Sequence, residues 1–325
     1  MNPKKNKHKY KNYNTMGEWS KKIGEYGEKV VETFFTVIGW NDLQKGQTIP
    51  CVNSKHLNEK SNSKETHGVD FMYSYMNPLV SGLLNNVIIS SKFKTIKYPN
   101  NPTKLFKDFM EDLITTLECF DGSNLKSSIL KGFNCSSIND VGILFWLNNQ
   151  HDSEDDLIIN VSSTRIVDTQ MDSTIYIMDN RRVAFILEVM KYIKIKNDKF
   201  KHSFYYPNTG QNINPQGRQN AGTVLPVEFL NSSIIPIRLE NKDNPKEICL
   251  FLSTIDNFEE DDFMRLIGLA KDITTDLVGD VIIAFPDYEE LVHKDIVAMA
   301  KQKFQAPEFT KTISVVNYNN PLNVY

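Results

Sequence analysis

The chain has 325 residues, of which 40% are hydrophobic, enough for two domains or one large domain with an extension. A formal net charge of −3 excludes a generally basic polyanion-coating protein, so any contact with nucleic acid must come from local patches. No apolar run approaches the roughly 18 residues of a membrane span, and the early lysines precede no apolar secretion segment, so a cytoplasmic location is expected.

Residues 1–14 are rich in lysine and asparagine and carry no apolar period, which predicts a disordered arm, either simply solvated or following a phosphate backbone. A helix follows over 19–40, with Ile23, Gly27, Val30, Val31, Phe34 and Ile38 on one stripe and Gly24, Glu28 and Phe35 along its flank. Each glycine costs about 1 kcal/mol of helix propensity relative to alanine, a loss that makes sense where a helix must approach another backbone closely. Glu28 then sits at the edge of the buried face. Residues 41–51 suit a first strand, and 52–66 form a long polar loop carrying Lys55, Lys60 and Lys64, placed to contact a substrate.

Two alternating stretches follow, 67–76 and 87–94. In the first, Val69, Phe71, Tyr73 and Tyr75 oppose Asp70, Met72 and Ser74; in the second, Ser90 and Lys92 share a face because strand side chains repeat every second residue. A hairpin brings Asp70 beside them. A carboxylate next to a lysine on otherwise apolar strands is costly and signals a partner, a metal or a catalytic task. Asn101-Pro102-Thr103 starts a helix whose stripe is Leu105, Phe106, Phe109, Leu113, Ile114 and Leu117, and residues 141–147 read as a buried strand.

The order of a G-x-x-G-E helix, a strand with G-V-D and an apolar strand ending in S-x-K resembles the PD-(D/E)XK nuclease superfamily. The matching residues are Gly24, Gly27 and Glu28, then Gly68 and Asp70, then Ser90 and Lys92, within the first half of the chain. One departure is Ser90, where the family usually carries Glu, Asp or Gln. The chain as a whole is similar to the nuclease component of two-gene bacterial anti-phage systems. The resemblance implies an α/β fold with a restriction-endonuclease-like αβββαβ core, a mixed sheet flanked by helices. It also implies metal-dependent hydrolysis of DNA phosphodiesters. Asp70, Lys92, Ser90 and Glu28 become the catalytic candidates, and Asp70, Glu28 and the Ser91 backbone carbonyl the ligands of Mg²⁺, for which Mn²⁺ can substitute. Lys94, Lys104, Lys107 and His67 are candidate substrate contacts. Double-stranded DNA and a partner subunit or second copy of the chain are the expected partners, and no membrane.

The nuclease domain is expected over 15–198, including a strand near 175–178 and a helix over 181–193 as added cover for its sheet. A C-terminal α/β domain over 199–325 is predicted from strands at 248–254, 281–286 and 312–318 alternating with helices at 259–277 and 288–304, which implies largely parallel pairing. This half carries no phosphate-binding glycine motif and is assigned to binding substrate or a partner. Cys51, Cys119, Cys135 and Cys249 form no C-x-x-C pair and the histidines do not cluster, so no zinc site is expected. Cys51 and His56 are the nearest pair of ligand types, and idle thiols are the plainer reading. Two other functions stay open: a catalytically degenerate nuclease fold that binds nucleic acid or scaffolds a complex, which the neutral Ser90 favours, and a nuclease directed at RNA or tRNA.

Overall fold

The first apolar stripe is realised as helix α1, Lys11–Val37, which buries Val31, Phe34 and Phe35. The structure, a computed structural model, describes residues 11–58, 61–150, 156–166, 173–195, 198–213, 217–274 and 279–320. Residues 11–14 of the expected disordered arm are helical, whereas its residues 1–10 lie outside the described residues. Once a helix is nucleated, each further residue adds one hydrogen bond, so a well-packed stripe carries the helix outward into polar sequence.

The chain divides into two compact units, one made of residues through Thr36, 41–75 and 84–181, the other of 37–40, 76–83 and 182 onward. The first unit contains β1 (Gln44–Pro50), β2 (Thr66–Met76), β3 (Leu83–Lys94), β4 (Ser137–Asn148) and β5 (Ile175–Met178), adjacent in that order. β1 runs antiparallel to β2, and β4 parallel to β5. Hydrogen bonds joining Ser74 to Asn86 and Asp70 to Ser91 step in opposite directions along β2 and β3, as in a hairpin. Those joining Asn86 to Asp140 and Lys94 to Asn149 step the same way along β3 and β4. The sheet is mixed.

Helix α2 (Thr103–Asp121) lays Phe106, Met110, Leu113, Ile114 and Leu117 onto one face, against Met72, Ile88, Leu144 and Trp146. The other face meets α1, where Phe145 lies edge-on to Phe34 and Phe35 at 5.5 and 5.3 Å. Leu144 and Trp146 point to α2 and Phe145 to α1, the period-2 alternation of a strand buried on both sides. The expected αβββαβ succession is therefore present. Two short helices were not legible in advance: α3 (Asn124–Leu130), whose Ser123 cap accepts from the Lys126 N–H, and α4 (Leu157–Val161), capped by Asp156.

Helix α5 (Asn180–Ile195) was expected to cover the first sheet, but from residue 182 it belongs to the second unit. Tyr192 stacks on Phe251, with ring centroids 5.6 Å apart, and Phe185 meets Tyr318. The unit contains β6 (Phe200–Tyr205), β7 (Ala221–Gly222), β8 (Ile234–Asn241), β9 (Ile248–Thr254), β10 (Val281–Phe285) and β11 (Ile313–Asn317), in the order β11-β10-β9-β8-β6-β7. Helices α6 (Glu260–Ile273), α7 (Glu290–Lys303) and α8 (Pro307–Thr310) complete it. β9, β10 and β11 are parallel, as expected, but β8 is antiparallel to both β9 and β6. The turn over 242–247 is too short for the crossover that parallel neighbours need, and with β6–β8 and β6–β7 antiparallel as well, three of the five strand pairings of this sheet are antiparallel. Among the described residues, no helix is long and apolar enough to cross a membrane.

Candidate active site

The site is built where α1 closes on the hairpin of β2 and β3. A Cβ added to Gly27 would lie 2.3 Å from the Phe93 Cβ, so glycine is what lets the helix reach β3. Tyr26 packs edge-on against the same Phe93 ring at 5.4 Å. Gly24 faces open space, so only one of the two glycines answers a close approach. The next residue, Glu28, is solvent-exposed yet electrostatically tied to the hairpin. Partial loss of hydration raises its pKa, repulsion from Asp70 and Glu25 adds to the rise, and Lys45 opposes it.

Asp70 is half-buried on β2, and its Oδ2 accepts the Ser91 N–H at 2.6 Å. Burial raises its pKa; the Ser91 bond and Lys92 pull the other way, and Asp112 adds repulsion. The strand does not hold the single phase expected of it. Val69 and Met72 both join the core under α2, while Phe71 meets Phe35 of α1 at 6.1 Å. Residues of opposite parity cannot share a face of a regular strand, so the alternation slips between Val69 and Met72. Here the Asp70 carboxylate raises the pKa of Glu28 on α1 and is itself repelled by Asp112 on α2.

Lys92 keeps its expected phase and turns toward α2. Its Nζ lies 3.4 Å from Asp112 Oδ2 and 5.6 Å from the centroid of the Phe109 ring. Lys64, from the loop after β1, holds the other Asp112 oxygen at 2.8 Å. Burial alone would raise the Asp112 pKa, but the Lys64 hydrogen bond and the Lys92 charge outweigh it and hold the carboxyl below its usual range. Asp112 was missed in the sequence. Its one signal is an acidic residue beside the buried Leu113 of an otherwise apolar stripe, and helices carry many such residues.

The remaining candidates separate. Ser90 is 9% exposed and shares the Lys92 side of β3 by parity. Lys94, Lys104 and Lys107 are exposed. Lys104 lies about two turns nearer the N-terminus of α2 than Asp112, roughly 12 Å along the axis and about 80° around it, and Lys107 lies about 140° around the helix. His67 is not a substrate contact: it is 0% exposed, with Nε2 3.3 Å from His56 Nδ1 and Nδ1 3.4 Å from Thr116 Oγ1. Burial, then Lys64 and His56, hold its pKa down at about 4. The polar loop after β1 folds back on itself, through a bridge between Leu57 and Ser63 and a 2.8 Å bond from the Cys51 N–H to the Glu65 carbonyl.

A mixed sheet between two helices, with a carboxylate on its second strand and a lysine on its third, defines a nuclease domain of the PD-(D/E)XK class. More particularly, a family model described as the GAPS4 protein PD-(D/E)XK nuclease domain matches residues 16–182, and the chain belongs to this family, GAPS4 being an anti-phage defence component. No curated protein matches the chain. Among solved structures, the central domain of yeast acetyl-CoA carboxylase is 10% identical and covers 89% of this chain, with a TM-score of 0.19. The chain spans 45% of that structure's length, and a likeness this low carries no argument.

Proposed function

We propose that the chain is a metal-dependent nuclease that hydrolyses DNA phosphodiester bonds in bacterial anti-phage defence. The observation that carries this reading is the convergence of Glu28, Asp70, Lys92 and Asp112, from four separate elements, into one electrostatically coupled group. Asp70 repels Glu28, and both carboxyls have raised pKa values, an arrangement that a shared cation relieves. Hard oxygen donors of this kind suit Mg²⁺, or Mn²⁺ in its place. Asp70, Glu28 and the Ser91 carbonyl are the proposed ligands. When bound, the ion supplies charge neutralisation on the phosphate and acidifies the attacking water. Lys92 orients that water and stabilises the charge that builds on the phosphoryl oxygens. Asp112 positions Lys92 and Lys64 together. Ser90 contributes a hydroxyl to the same face. Lys94 and Lys104 are the proposed backbone contacts, and the second unit is proposed to bind substrate, a partner subunit or a second copy of the chain.

The test incubates the purified chain with linear, circular and single-stranded DNA and with tRNA, in Mg²⁺ or EDTA. Wild type should cut DNA only with Mg²⁺. Asp70→Asn should cut nothing while remaining folded, because the amide oxygen still accepts from Ser91 and the raised-pKa charge is gone. Cutting of tRNA alone would point to the RNA-directed reading. The neutral, nearly buried Ser90 favours a second reading, a non-catalytic nucleic-acid-binding scaffold. Binding without Mg²⁺-dependent cleavage of any substrate would establish that one.

A further inference from the structure

Four metal-ligand side chains scattered in sequence meet on the α2 side of the first sheet: Cys51 after β1, His56 in the following loop, His67 on β2 and Cys119 on α2. Their spacing, C-x4-H-x10-H-x51-C, matches no common zinc pattern, which is why no zinc site was legible. Their donor atoms all lie within 4.8 Å of one another. The Sγ atoms of Cys51 and Cys119 are 3.8 Å apart, far beyond a disulfide, and both cysteines are free. His56 Nδ1 lies 3.4 Å from the Cys51 Sγ, 3.5 Å from the Cys119 Sγ and 3.3 Å from His67 Nε2.

These edges can be compared with those of a tetrahedron. With Zn–S near 2.3 Å and Zn–N near 2.0–2.1 Å, tetrahedral coordination requires S···S of about 3.8 Å, S···N of about 3.5 Å and N···N of about 3.3 Å. These four of the six edges fall within about 0.1–0.2 Å of those values, and the two from His67 Nε2 to the sulfurs lie within 4.8 Å. From this geometry we propose that Cys51, His56, His67 and Cys119 form a closed, structural Zn²⁺ site.

The outer hydrogen bonds select the tautomers such a site needs. The Thr116 hydroxyl donates to the Asp112 carbonyl at 2.7 Å, so its oxygen can only accept from His67, which puts the His67 proton on Nδ1. His56 Nε2 lies 2.8 Å from Glu118 Oε2 and therefore carries a proton. The Asn53 amide nitrogen is also near that Nε2, at 3.1 Å, but a carboxylate at the shorter distance decides the assignment. With these tautomers His56 Nδ1 and His67 Nε2, 3.3 Å apart, both present lone pairs to the space between them, as two ligands of one ion would. Carboxylate and hydroxyl partners on the outer imidazole nitrogens are the support that ligating histidines regularly have.

Four protein ligands, three of them buried, leave no open coordination position, which makes the site structural. It ties the polar loop to β2 and α2. Lys64 lies on that loop and donates its own N–H to the His56 carbonyl at 2.7 Å, so the staple also holds the lysine that grips Asp112.

The experiment measures zinc by mass spectrometry in the purified, reduced full chain, then titrates chelator-treated protein with Co²⁺. One equivalent of zinc, with the intense d–d and thiolate charge-transfer absorption of tetrahedral Co²⁺, is expected. Cys119→Ser should lose most of that absorption and more than tenfold in affinity, while Cys135→Ser, Cys249→Ser and Asp70→Asn keep full stoichiometry. Asp70→Asn thereby separates a failure of the nuclease reading from a failure of this one. Wild-type protein that is folded by circular dichroism yet takes up neither Zn²⁺ nor Co²⁺ stoichiometrically would overturn the proposal. So would undiminished binding in Cys119→Ser.

Discussion

Gly27→Ala probes the contact that sets Glu28 against the hairpin. The new Cβ would stand 2.3 Å from the Phe93 Cβ and 2.8 Å from its Cγ, where ordinary contact begins at 3.4 Å. The clashing atom lies at the root of the Phe93 side chain, so no rotamer change relieves it, and α1 must part from β3 by about 1 Å. Overpacking of this kind costs about 1–3 kcal/mol. Alanine returns about 1 kcal/mol of helix propensity, leaving a net loss of up to about 2 kcal/mol. Gly24→Ala, with nothing within 4 Å of its Cβ, receives the propensity gain alone and should be stabilised by about 0.5–1 kcal/mol. Urea unfolding followed by tryptophan fluorescence compares the two. A shift of about 1 Å in a catalytic group can also cost on the order of 100-fold in rate, so Gly27→Ala should cleave slowly and Gly24→Ala normally. If Gly27→Ala is as stable and as active as Gly24→Ala, the helix does not press on β3 at Phe93 and the placement of Glu28 loses its support.

Three further outcomes are expected. Glu28→Gln keeps shape and removes charge, so it should slow Mg²⁺-dependent cleavage at least about tenfold, roughly 1.4 kcal/mol of barrier, and Ser90→Glu should recover part of that loss; an unchanged rate would remove Glu28 from the site. Because Asp70 helps to raise the Glu28 pKa, Asp70→Asn should lower it toward the ordinary glutamate value in a carboxyl ¹³C NMR titration, and an unmoved titration would mean the two groups are not neighbours. Burial, with Asp280 adding, pushes the Cys249 thiol up to about 12, so at pH 8 it should resist iodoacetamide while the half-buried Cys135 labels, as read by mass spectrometry; rapid alkylation of Cys249 in folded protein would contradict its burial.

The αβββαβ elements of the first unit were legible because they depend on short-range geometry. The stripe of α1, the alternation around Ser90 and Lys92, and the apolar run that became β4 all follow from the helical and strand repeats. The order of those elements also carried the family. The electrostatic meeting of Asp70 and Lys92 could be anticipated because a charge on a buried strand is costly and therefore conspicuous. Gly27 was visible for a similar reason, as a propensity loss that needed a cause, although its neighbour Gly24 raised the same expectation with no contact behind it.

Everything that required two distant segments to meet was decided by the tertiary structure. The slip of β2 beside Asp70 shows only in the neighbours that Val69, Phe71 and Met72 meet, and no repeat in residues 66–76 announces it. Asp112 joined the charged group around Lys92 because α2 turns it toward that lysine and because the loop after β1 delivers Lys64, pairings 20 and 48 residues apart in the chain. Helix α5 has an apolar face that suits either sheet, and its aromatic partners Phe251 and Tyr318 lie far downstream. The cluster of Cys51, His56, His67 and Cys119 is the clearest case. A sequence displays ligand types and their spacing, whereas coordination depends on distances between side chains, which exist only once β1, β2 and α2 are packed together.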